Sequence, residues 1–150
     1  MNIPMLLKPK SEVEYIIDTC TMRQGLEKMR KHGCTAIQVL SRDGLYVGSV
    51  SEGDFLWSLV ERSGEIDSIR KCESYRIRDI MKEGRNPAVT VDVDMKAVIE
   101  RAMHQNFIPV TDDRGYFIGI VTRQDIIYHL CGVDHRQTYH SVSSYIHHSL

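Results

Sequence analysis

The sequence has no surplus of positive charge. Its 19 lysines and arginines stand against 20 aspartates and glutamates, a net charge of -1. That excludes the general coating of a nucleic acid, which rests on a basic excess. No uninterrupted apolar run approaches the roughly 20 residues that cross a bilayer, so no membrane role is expected. Met5-Leu6-Leu7 is bracketed by Pro4 and Pro9 and preceded by no basic segment, and reads as a segment packed on a domain rather than a signal peptide. Cys20, Cys34, Cys72 and Cys131 form no Cys-x-x-Cys pair, the usage of free, reduced thiols in a cytoplasmic protein. His129, Cys131 and His135 match no standard zinc spacing, and His147-His148 read as a solvated tail, so no metal is expected. A phosphate-cradling glycine loop and a nucleophile–histidine spacing are also missing, which argues against an enzyme and against a required cofactor.

What the chain does contain is a duplication. Asp43-Gly44-Leu45-Tyr46-Val47-Gly48-Ser49-Val50-Ser51-Glu52-Gly53-Asp54 is answered by Arg114-Gly115-Tyr116-Phe117-Ile118-Gly119-Ile120-Val121-Thr122-Arg123-Gln124-Asp125. Gly44, Gly48, Ser51 and Asp54 map onto Gly115, Gly119, Thr122 and Asp125 at one offset of 71. Glycine, hydroxyl and carboxylate recurring in register mark an internal repeat. Ala36–Leu40 faces Phe107–Thr111 at the same offset, whereas Thr21–Leu26 faces Asp94–Ile99 at 73, so the first copy carries two extra residues around His32-Gly33-Cys34.

Local signals order each copy. Thr21-x-x-Gln24 is a capping box ahead of Met22, Leu26 and Met29, an apolar stripe at helical spacing, with Gly33 as the stop. Strands are expected at Ala36–Leu40 and Tyr46–Val50 around Arg42-Asp43-Gly44, then a helix over Glu52–Val60. Glu61 to Ser74 reads as a partly helical connection, and Ile77 to Met81 as the opening of the second copy. There Val89–Val91 is a short strand, Asp94 caps a helix over Met95–Gln105, strands follow at Phe107–Val110 and Tyr116–Val121, and a helix runs over Arg123–Leu130. The boundaries are 1–75 for the first repeat with its N-terminal segment and linker, 76–132 for the second, and 133–150 for a tail. Tyr139, Val142, Tyr145 and Ile146 give that tail a helical spacing, which leaves a short partner-binding helix and a disordered end both open.

A β-α-β-β-α unit ending Gly-x-x-Ser/Thr-x-x-Asp, present twice, resembles a tandem pair of cystathionine-β-synthase (CBS) domains, a Bateman module. Ile80-Met81, Ile108-Pro109-Val110 and Gly119 to Asp125 carry the likeness in the second copy, and Ala36 to Val39 with Gly48 to Asp54 in the first. The resemblance implies an α/β (α+β) fold, with two repeats packed around a pseudo-two-fold axis. It implies a stand-alone regulatory module that binds an adenine nucleotide (AMP, ADP, ATP or c-di-AMP) and signals to a partner protein, and it implies a homodimer built on helices carrying Phe55, Leu56, Leu59, Ile126, Ile127 and Leu130. By position, Thr122 and Asp125 serve one site, with Val89, Thr90, Ile108, Pro109, Tyr116 and Ile118 around the adenine. Ser51 and Asp54 serve the other, with Ile17, Ala36, Ile37 and Tyr46.

The chemistry suits these assignments. A carboxylate offers several acceptor positions to a ribose diol, and a helix start welcomes a phosphate. The same Ser/Thr-x-x-Asp is also a capping pattern, so a purely structural use stays open, as does a dimerisation domain with no ligand. Arg123 follows the hydroxyl in the second copy, where a guanidinium could fork onto phosphate; Glu52 holds that place in the first. The second site is therefore expected to bind phosphates better. Gln38 replaces Pro109 in the first copy; Arg85, ahead of the short strand, could add positive charge to the site, with a solvated arginine as the stronger reading.

Overall fold

Each repeat builds its helix–strand–hairpin–helix order from local signals. The computed structural model describes residues 1–61 and 68–133. Its elements are α1 (Ile3–Leu6), β1 (Lys8–Pro9), β2 (Tyr15–Ile17), α2 (Met22–His32), β3 (Ala36–Leu40), β4 (Tyr46–Ser51), α3 (Glu52–Glu61), α4 (Ser68–Ser74), α5 (Ile77–Ile80), β5 (Val89–Thr90), α6 (Met95–Ala102), β6 (Phe107–Thr111), β7 (Phe117–Thr122) and α7 (Arg123–Leu130). The tail residues Tyr139, Val142, Tyr145 and Ile146, with His135, lie outside the described residues.

The capping box at Thr21 forms in full: Thr21 Oγ1 accepts from the Gln24 N–H (3.2 Å) and Gln24 Oε1 accepts from the Thr21 N–H (2.9 Å). Helix α2 then buries Met22 and Met29 and ends on Gly33, whose φ of 66° favours a residue without a Cβ. Asp94 caps α6 by accepting from the Lys96 N–H. That helix stops at Ala102, short of Gln105, and α2 is 11 residues against its 8, so the change of repeat offset falls at these two helix ends.

The chain forms two compact units. One is Glu14–Arg85, with a sheet ordered β2-β3-β4, β2 parallel and β4 antiparallel to β3. Ile16, Met22, Met29, Ile37, Val39, Val50, Phe55, Ile77 and Ile80 form its core. The other joins Met1–Val13 to the chain from Asn86 onward, with a sheet ordered β1-β7-β6-β5. Ile3, Leu6, Val89, Val98, Ala102, Ile108, Val110, Val121 and Ile126 form its core.

These units divide the chain differently from the sequence repeat with its boundaries at 75 and 76. The first segment of the chain pairs with the second repeat: β1 runs antiparallel to β7, Lys8 opposite Ile120 and Pro9 opposite Gly119. A Cβ at Gly119 would lie 2.2 Å from the Lys8 carbonyl oxygen, so the repeated glycine is what allows this strand to approach. Ile77–Ile80, at the opening of the second copy in sequence, packs into the Glu14–Arg85 unit. Ile77 is fully buried, its N–H donates to the Cys20 carbonyl (2.8 Å), and the Met22 N–H donates to the Tyr75 carbonyl (2.9 Å). Gly25 makes room for it, since a Cβ there would stand 2.6 Å from Ile77 Cδ1. Short apolar pieces follow the surface they can bury, whatever repeat they adjoin in sequence.

Candidate functional site

In each unit the last strand runs directly into a helix, and the repeated hydroxyl sits at that junction. In the first repeat the alternation of β3 and β4 divides their side chains between two faces. Ile37, Val39 and Val50 lie in the core, while Ala36, Gln38, Ser49 and Ser51 share the opposite face through the pairs Ala36–Ser51 and Gln38–Ser49. Ile17, paired in register with Leu40, extends that face.

At the end of this face lies a carboxylate with three donors on one oxygen. Asp54 Oδ2 accepts from the Ser51 N–H (2.9 Å), the Ser51 hydroxyl (3.2 Å) and Arg85 Nη1 (2.5 Å). Arg85 Nη1 also donates to Ser51 Oγ (3.1 Å). The Asp54 side chain is 1% exposed and that of Arg85 31%. Among the described residues, Asp54 Oδ1 is buried with no hydrogen-bond partner, and so is Oε1 of Gln38. Buried acceptors are normally satisfied, so these two oxygens are exceptions among the described residues. Burial also raises the Tyr46 hydroxyl well above its ordinary pKa of 10.0, which keeps it protonated as a possible donor.

The second repeat uses the same turn differently. Thr122 Oγ1 accepts from the Asp125 N–H (3.1 Å), closing the cap from the hydroxyl side. Phe107, opposite Thr122, and Pro109, opposite Ile120, share the Thr122 face, while Ile108 and Val121 pair within the core. The guanidinium of Arg123 turns back on its own scaffold, Nε donating to the Ala102 carbonyl (2.6 Å) at the end of α6, while the Arg123 backbone N–H donates to the Asn106 carbonyl (2.8 Å). Among the described residues, no group of three His, Cys, Asp or Glu side chains could hold a metal ion.

The family model of the CBS domain matches the chain twice, over residues 7–61 and 77–132. The chain belongs to the CBS-domain family. An uncharacterised protein of Methanopyrus kandleri is 30% identical over 106 residues, covering 67% of this chain and 48% of the relative, so the chain spans about half that relative's length. Among solved structures, CbpB in complex with c-di-AMP superposes with a TM-score of 0.79 at 19% identity, covering 88% of this chain and 85% of that one. CBSX2 in complex with AMP superposes with a TM-score of 0.67 at 21% identity, covering 87% and 97%. Identities this low establish a shared CBS-pair fold.

Within the CBS repeats, the structure joins Ser51 to Asp54 and Thr122 to Asp125, and sets Ile17 and Ala36 on the Ser51 face and Pro109 on the Thr122 face. It sets apart several residues expected around the adenine. Ile37, Val89 and Ile108 are core residues, each on the inward phase of its strand, and Ile118, at the register shift between β6 and β7, packs partly against the core. Their side chains are committed to packing. Thr90 donates to Asp92 Oδ1 (2.7 Å), and Tyr116 stands in the hairpin beneath the Arg114 guanidinium, 5.4 Å from its ring centre.

Two charge expectations change. Arg123 is tied to the Ala102 carbonyl, and Arg85 is bound at the first site rather than solvated. Sequence pattern could not pair Arg85 with Asp54, because it lies 31 residues beyond and the duplicated segments give it no counterpart.

Proposed function

We propose that the chain is a regulatory module that binds an adenine nucleotide and passes its occupancy to a partner protein. The observation that carries this is the duplicated hydroxyl-x-x-acid at a strand-to-helix turn, with one copy holding the buried Asp54 carboxylate and its unpartnered oxygen. Capping alone does not call for such an acceptor. A ribose diol supplies donors for it, and the N–H groups of the helix start suit a phosphate. That CbpB has been solved with c-di-AMP and CBSX2 with AMP supports the same ligand class. Ligand binding rather than catalysis fits a site of caps and acceptors. The module works in the cytoplasm as a homodimer, through the apolar faces left exposed on α3 and α7.

A thermal-shift panel of adenosine, AMP, ADP, ATP, S-adenosylmethionine and c-di-AMP tests this reading. At a concentration 100 times its dissociation constant, the true ligand adds about 2.7 kcal/mol of stability. Asp54→Ala and Asp125→Ala report which site it fills. A panel with no shift would instead favour a dimerisation domain without a ligand.

A further inference from the structure

Arg85 holds Asp54 in an incomplete way. An arginine–carboxylate pair formed for stability alone favours two parallel bonds, one to each oxygen. Here a single nitrogen, Nη1, reaches both Oδ2 of Asp54 and Oγ of Ser51. The other carboxylate oxygen, Oδ1, is buried and has no partner. The acid thus keeps one acceptor that no described residue fills. The guanidinium is 31% exposed while the acid is 1% exposed, so the arginine is the member of the pair that meets solvent. Arg85 also lies between two left-handed residues, Gly84 at φ 73° and Asn86 at φ 50°, in the loop between α5 and β5.

We propose that Arg85 is the specificity-determining residue of the first site: it rests on Asp54 and moves to the phosphate of an incoming nucleoside phosphate. The ribose hydroxyls replace the guanidinium as donors to Asp54, Oδ1 included. The displaced guanidinium then requires an anion, and a phosphate next to the ribose provides one with matching fork geometry. A neutral nucleoside breaks the Arg85–Asp54 pair and offers the arginine nothing in return. The first site therefore selects phosphorylated adenosines over adenosine itself, despite Glu52 at the position where the second repeat has Arg123. This inference rests on the nucleotide-binding reading above.

The test titrates AMP and adenosine calorimetrically into the full chain carrying Asp125→Ala, which confines binding to the first site. With Arg85 intact, AMP binds at least about tenfold tighter than adenosine. Arg85→Ala lowers AMP affinity about tenfold or more and leaves adenosine equal or tighter, so the preference falls towards one. Arg85→Lys restores part of it. Arg85→Gln keeps a donor for Asp54 and removes the charge; it loses the preference in the same way and serves where the alanine variant folds poorly. A merely structural role would weaken both ligands equally and leave their ratio unmoved. An unchanged ratio in Arg85→Ala and Arg85→Gln overturns the proposal. Absence of binding by either ligand to every form, the unmutated chain included, overturns the nucleotide reading itself.

Discussion

Tyr46 lies on β4 and pairs across the sheet with Leu40, just beyond the face that carries Gln38 and Ser51. Burial raises its hydroxyl above the ordinary value of 10.0 because the phenolate would lose its hydration there. The folded chain thus retains a proton that the unfolded chain releases near pH 10. Stability from this group is complete below about pH 10 and falls as pH rises beyond it, by at most ~1.4 kcal/mol per pH unit. Urea denaturation from pH 9 to 11 should show a decline that is shallower in Tyr46→Phe; equal slopes would refute the burial. At this scale the hydroxyls and acids of both sites, and the Thr21 cap, were legible in the sequence, because capping and the repeated motif are local. The Arg85–Asp54 pair was not, since it depends on how a later loop folds back. Nor was the tie of Arg123 to Ala102, where a backbone carbonyl competes for the guanidinium and no sequence pattern reveals it.

At the scale of elements, strands β3, β4, β6 and β7 and the capped helices followed from alternation, turn glycines and caps. The partners of the shortest pieces did not. α1, β1 and α5 hold two to four residues each, too few to display a period, yet Ile3, Leu6, Ile77 and Ile80 all lie in a core. Each fully buried aliphatic side chain contributes about 1.5–3 kcal/mol. Cutting the chain by its repeat boundary should therefore fail. A fragment of residues 1–75 lacks Ile77 and Ile80, whereas Glu14–Arg85 keeps its whole core. The second fragment is expected to unfold cooperatively in urea and the first to show a weak or absent transition. The reverse order would show that α5 adds little.

At the scale of the whole molecule, two helices carry five of the twelve large apolar side chains exposed among the described residues. On α3, Leu56, Trp57 and Val60 are 63%, 56% and 52% exposed; on α7, Ile127 and Leu130 are 49% and 61%. Phe55 and Ile126, expected beside them at an interface, are core residues instead. The helical phase divides each apolar run between the inside and a residual outer stripe, and sequence alone could not say which member fell where. Exposed apolar patches of this kind mark interaction surfaces, and a second copy is the commonest occupant. Light scattering should then give a dimer for the unmutated chain and a monomer for Leu56→Glu with an unchanged circular dichroism spectrum. A monomer in both cases would remove the homodimer from the proposal.

The antiparallel pairing of Lys8 with Ile120 also sets an order of events on the ribosome. All the residues of Glu14–Arg85 have been translated once Arg85 is added. The segment made first must wait for β7, which ends 37 residues after Arg85 (122 − 85). At about 5–20 residues per second that is a delay of roughly 2–7 s. During that interval Ile3 and Leu6 remain without their core, exposed to chaperones and proteases until the second unit closes over them.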